Sequence, residues 1–161
     1  MFRLSRMTDY GIVLMTQLAR RGATRSARDV ALAAQIPHPV ASKLLKQLAR
    51  EGLLVSQRGP GGGYGLARAA SQISVAEMVT ALEGPIGLTE CTVHPGACLQ
   101  EPACHVREPW QRINRAVRDA LAHVSLAELA QPANSPVTAL FDLRPRGAEP
   151  AVPGDSGARC S

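Results

Sequence analysis

Ile12, Met15, Leu18 and Ala19 fall on one stripe at helical spacing, which predicts a helix from about Thr8 to Arg21, with Thr8 as its cap and Gly22 as its stop. Ser26 followed three residues on by Asp29 has the spacing of a capping box. It opens a second, shorter helix carrying Val30, Leu32 and Ala33, which QIPHP ends in a tight turn at Pro37 and Pro39. From about Pro39 a third helix turns Val40, Leu44, Leu45 and Leu48 inward and Ser42, Lys43, Lys46 and Arg50 outward. The period then changes. LLVSQ at 53–57 and YGL at 64–66 read as two strands joined by the glycine-rich tip RGPGGG. Three helices followed by a hairpin is the order of a winged helix-turn-helix, in which the third helix enters the major groove and the hairpin lies along the backbone or minor groove.

Ser74 and Glu77 repeat the capping-box spacing at the head of a fourth helix, SVAEMVTALEG, that ends at Gly84. From Pro109 to about Val124, Trp110, Ile113, Val117, Leu121 and Val124 form a stripe along a helix of about 24 Å. Such a stripe needs a partner surface: its own domain, or its copy across a two-fold axis. Ser125 and Glu128 cap a short last helix, LAELA. The expected organisation is mainly α: a winged helix-turn-helix DNA-binding domain at 1–84, a cysteine-bearing loop at 85–108, a long dimerisation helix with the short last helix at 109–130, and a disordered tail at 131–161 rich in Pro, Gly, Ala and Ser.

Composition sharpens this picture. Hydrophobic residues make up 45% of the chain but aromatic ones only 3%, so the core must be aliphatic, which suits packed helices. The net charge of +5 is unevenly spread. Residues 1–70 hold eleven Lys and Arg against three acids, whereas residues 71–130 hold four against seven. A basic half beside a mildly acidic one points the first half at a polyanion, and the winged pattern selects DNA over an anionic membrane. No run of about 18 apolar residues is present to span a bilayer, and the N-terminus has no small-residue cleavage site, so the expected location is the cytoplasm.

The candidate DNA contacts follow from position. Ser42 and Lys43, early in the third helix, are placed for base edges, and Lys46 and Arg50 for phosphates. His38 stands at the helix entrance, where it serves either as a phosphate donor or as a plain turn residue. Arg58 at the base of the wing suits a narrow minor groove, and Arg3 ahead of the first helix belongs to the same basic set. The wing is not a nucleotide-binding loop, because no Lys-Ser or Lys-Thr follows it and a strand does.

ECTVHPGACLQEPACHVREPW at 90–110 spells C-x6-C-x5-C, with His105 directly after Cys104. In a reducing compartment, clustered thiols are metal ligands or redox groups more often than disulfides. Thiolates suit zinc and iron–sulfur clusters, and Cys91, Cys98 and Cys104 fall one short of the usual four ligands. The absence of a tight C-x2-C pair weakens the zinc reading, while a larger cluster suits wide spacing. The missing C-x-x-C also argues against a thiol oxidoreductase. His94 reads as a solvent-facing loop residue, Cys160 in the tail as an incidental thiol, and Asp9 as an acid at the positive end of a helix.

RLSRMTDYGIVLM, RGPGGGYGLAR, ISVAEMVTALEGPIGLTEC, the three-cysteine loop and WQRINRAV together resemble the Rrf-two family of winged-helix transcription regulators, which includes the iron–sulfur regulators IscR and NsrR. The resemblance covers about residues 2–130 and is greatest to the regulator of the SUF iron–sulfur assembly system. It implies a homodimer on a pseudo-palindromic operator of double-stranded DNA, no membrane partner, and a 2Fe–2S or 4Fe–4S cluster held in each subunit by Cys91, Cys98 and Cys104. Cluster occupancy would then set DNA affinity, with repression of the assembly operon as the expected outcome. The IscR branch takes a fourth ligand from a histidine three residues past the last cysteine, where this chain has Arg107. The NsrR branch takes it from an aspartate of the partner subunit at the start of the first helix, which corresponds to Asp9. Asp9 is therefore the first candidate for the fourth ligand and His105 the second. IscR carries glutamate where this chain has Ser42, so its DNA sequence preference does not carry over.

Overall fold

The computed structural model describes residues 4–59 and 61–132. Arg3, Cys160 and the expected tail beyond Pro132 lie outside the described residues. α1 (Arg6–Arg21) is capped by Ser5, whose hydroxyl accepts from the Thr8 amide, and it closes at Gly22 in the left-handed conformation that glycine adopts without strain. The cap therefore sits three residues before the expected Thr8. Thr8 lies inside the helix, fully buried, and its hydroxyl donates to the Glu83 carboxylate.

α2 (Ala27–Ala34) begins at the predicted Ser26 cap and ends at Gln35, which takes the left-handed conformation in the helix-turn-helix corner. Val30 and Ala31 are its buried residues; Leu32, expected with the apolar stripe, is 79% exposed. α3 (His38–Arg50) buries Ala41, Leu44, Leu45 and Leu48. β1 (Leu54–Gln57) and β2 (Gly63–Leu66) pair antiparallel with Leu54 opposite Leu66 and Gln57 opposite Gly63. Tyr64 also bridges to Arg25 through both backbone hydrogen bonds, at 2.7 and 2.9 Å, which ties the wing to the loop before α2. The approach is so close that a Cβ on Gly63 would lie 2.1 Å from the Arg25 carbonyl oxygen.

α4 (Val75–Glu83) has the predicted capping box between Ser74 and Glu77. Burial raises the Glu77 pKa, but hydrogen bonds from Ser74 and the adjacent Arg68 outweigh it and hold the carboxyl below its ordinary value. At the other end of the helix, hydrogen bonds from the Thr8 hydroxyl and the Ser5 amide lower the Glu83 pKa and join α4 to the head of α1. After α5 (Glu90–Val93), a single turn, and a 3-10 turn at Glu101–Ala103, α6 (Arg107–His123) and α7 (Leu126–Leu129) complete the chain to Gln131. The core gathers Leu14, Met15 and Leu18 of α1, Leu44, Leu45 and Leu48 of α3, and Ile73, Met78, Val79 and Leu126. It is aliphatic throughout; truncating one of its fully buried leucines to alanine should cost about 2–5 kcal/mol.

Candidate functional site

Two groups of candidate residues lie on different parts of this frame. The first is basic. Because α3 commits Ala41, Leu44, Leu45 and Leu48 to the core, helical geometry turns His38, Lys43, Lys46 and Arg50 to solvent, with Ser42 half-buried beside them. Arg58 follows β1 directly and is exposed at the base of the wing. Among the described residues, none of these basic side chains forms an ion pair, so their charge is free for a polyanion. Gln47, on the same helix, donates instead to the carbonyls of Ala81 and Leu82 at 2.9 and 3.2 Å, which fixes α3 against the end of α4. α3 is thus a supported platform with a cationic outer face.

The second group is the cysteine loop. Ile86, in the core, anchors its start. Buried Asn114 of α6 accepts from the Leu88 amide at 3.1 Å and donates to the Ile86 carbonyl at 3.4 Å. Asn114 was not a sequence-based candidate, although the signal was there: positions 114, 117, 121 and 124 make a 3-4-3 seam that places it on the inward side of α6. At the other end the loop runs into α6 itself, so both of its ends are held by that helix.

Between these anchors Cys91, Cys98 and Cys104 are half-buried free thiols. Cys91 lies on α5 with its sulfur 3.3 Å from the Thr89 hydroxyl. Cys98 and Cys104 line separate clefts that share Glu101, Pro102 and Arg107. His105 is exposed beside Cys104, and Asp9 is exposed in the first turn of α1. Arg107 pairs with Glu101 at 2.8 Å. Three thiols on one short loop are a donor set that fits a soft-metal group such as an iron–sulfur cluster. As the loop is folded, no three Cys, His, Asp or Glu side chains among the described residues are gathered closely enough to hold a metal ion.

The family model of Rrf2, described as an iron-dependent transcriptional regulator, matches residues 4–132. The chain belongs to the Rrf2 family. A protein of Neisseria meningitidis serogroup A, NMA1593, classed among the HTH-type transcriptional regulators, is 29% identical over 83% of this chain and 90% of its own length. The HTH-type transcriptional regulator IscR of Erwinia tasmaniensis is 36% identical over 54% of this chain and 52% of that one. Among solved structures, CymR, the global cysteine regulator of B. subtilis, superposes with a TM-score of 0.64 at 29% identity, covering 81% of this chain and 97% of CymR. This Rrf2 chain is accordingly a winged-helix transcriptional regulator and not an enzyme, in line with its mainly helical fold and two-stranded wing. No helix among the described residues is long and apolar enough to cross a membrane.

Proposed function

We propose that this Rrf2 regulator is a homodimer that binds a pseudo-palindromic operator and adjusts its affinity to an iron–sulfur cluster held by Cys91, Cys98 and Cys104, with repression of a SUF iron–sulfur assembly operon as its output. The observation that carries the reading is the placement of three free thiols on a loop fastened at both ends to α6. When bound, the cluster supplies a redox-labile, sulfur-ligated centre whose occupancy follows iron supply and oxidants. The fourth ligand is the partner subunit's Asp9 or, second, His105.

The chain's own residues do the rest. Ser42 and Lys43 read base edges, Lys46, Arg50 and His38 hold phosphates, and Arg58 enters the minor groove, with Arg3 adding to the basic face. Ordering of residues 85–105 shifts α6 through Asn114 and so resets the spacing of the two recognition helices. A bias of about 1.4 kcal/mol between the two arrangements changes DNA affinity tenfold.

A second reading keeps the DNA chemistry and changes the signal. The likeness to CymR over nearly its whole length favours a regulator of other targets; in that reading the signal is redox state or nitric oxide, or the loop carries zinc or no metal. Anaerobic purification with an absorption spectrum and iron, sulfide and zinc analysis separates the two. Iron with matching sulfide, and visible bands lost on Cys98→Ala, is the expected result. Zinc alone, or no metal after anaerobic reconstitution, overturns the cluster and leaves the DNA-binding assignment intact.

A further inference from the structure

The chain from Gly87 to Ile113 buries one residue, and that residue is an acid. Glu101 is 8% exposed, while every other side chain between Ile86 and Asn114 is half-buried or exposed, and Leu99 at the loop tip is fully in solvent. Beyond its Ile86 anchor the loop places no apolar residue in the core, so the hydrophobic effect supplies little of its order. A carboxylate is withdrawn from water only where partners compensate it. Here they do. One oxygen, Oε2, accepts from the Gly96 amide at 2.6 Å and the other, Oε1, pairs with Arg107 Nη2 at 2.8 Å. The backbone of the same residue joins the two nearest cysteines: its amide donates to the Cys98 carbonyl at 3.0 Å and its carbonyl accepts from the Cys104 amide at 3.4 Å. The Arg107 amide in turn donates to the Cys104 carbonyl at 3.3 Å.

We infer that Glu101 is the positioning residue of the cysteine loop, a clasp whose carboxylate, gripping Gly96 on one side and Arg107 on the other, keeps Cys98 and Cys104 in separate clefts until it opens. Opening is required before these thiols can converge on one centre. That second step rests on the cluster reading above, whereas the clasp itself does not. Arg107 has a defined task in this arrangement. It is the far anchor of the clasp and the first residue of α6, so releasing it loosens the loop and the head of α6 together.

The test is thiol labelling of reduced, chelator-treated protein, with Cys91, Cys98 and Cys104 read separately by mass spectrometry. Glu101→Gln keeps the shape and removes the charge, and Arg107→Ala removes the anchor. Each is expected to speed labelling of Cys98 and Cys104 about tenfold, equivalent to about 1.4 kcal/mol of loop opening. Cys91, outside the clasp, should stay within about twofold of the parent as the internal control. Because both substitutions break one interaction, the double variant should gain little over either single one. Parent-like rates at Cys98 and Cys104 in both variants, or equal acceleration at all three cysteines, overturns the clasp. Reconstitution with ferrous iron and sulfide then tests the second step. Faster loading of Glu101→Gln to the same final iron content supports it, and unchanged loading rates overturn it. Failure of parent and variants alike to take up iron removes the cluster reading while the labelling result stands.

Discussion

Thr8 is a polar side chain with no exposure to water, its hydroxyl donating to the carboxylate of Glu83 and lying 3.1 Å from the Ser5 hydroxyl. Replacing it with valine preserves the volume and removes the donor, which should cost about 1 kcal/mol in urea unfolding at neutral pH. The pH dependence has a definite sign. Because the Thr8 hydroxyl and Ser5 amide lower the Glu83 pKa, the stabilisation is complete above the ordinary glutamate value of about 4.3 and fades as pH falls through the lowered folded value. The penalty of Thr8→Val should therefore shrink below about pH 4. A penalty equally large in acid would mean that the contact acts through packing and not through the charge.

Among the elements, the wing depends most on a single close approach. An alanine methyl at position 63 would meet backbone, which cannot swing aside as a side chain can. Gly63→Ala should thus part the Tyr64–Arg25 bridge, lower stability by about 1–3 kcal/mol in thermal or urea unfolding, and weaken DNA binding by displacing Arg58. Unchanged stability and affinity would show that the wing can be carried without this bridge. Such approaches are invisible to periodicity, which is why the hairpin was legible in the sequence and its third partner at Arg25 was not. Helices with a cap and an apolar stripe were read closely: Ser26 and Ser74 cap where their spacing says. α1 was set back because Ser5 and Thr8 are both plausible caps in isolation, and only the distant Glu83 decides between them. The cysteine loop was legible as a cluster of thiols, which the structure places half-buried on one loop between Ile86 and α6. Its helical turn at Glu90–Val93 and the buried Glu101 were not, because both arise from contacts within the loop that leave no repeating pattern.

At the scale of the whole molecule, α6 divides its stripe between two surroundings. Leu121 and Val124 pack on the core of this chain, whereas Trp110 and Ile113, at 38% and 46% exposure, face outward, as the proposed contact with a second subunit needs. A dimer leaves a quantitative trace in DNA binding. Lys46→Ala should remove one of the proposed phosphate contacts per subunit, so the slope of log affinity against log salt should fall in magnitude by about 2 on a full operator. A fall of about 1 would indicate that one subunit reads the site. The dimer, the loop and the recognition helices meet in one claim, that the state of the cysteine loop sets operator affinity. Its most direct test is titration of a SUF promoter fragment, at fixed salt and under anaerobic conditions, with iron-loaded protein, the same protein after chelation, and Cys98→Ala. Binding at least tenfold tighter by the loaded protein, with the other two alike, is the predicted result. Equal affinity in all three would contradict it and leave a winged-helix regulator whose cysteines serve another signal.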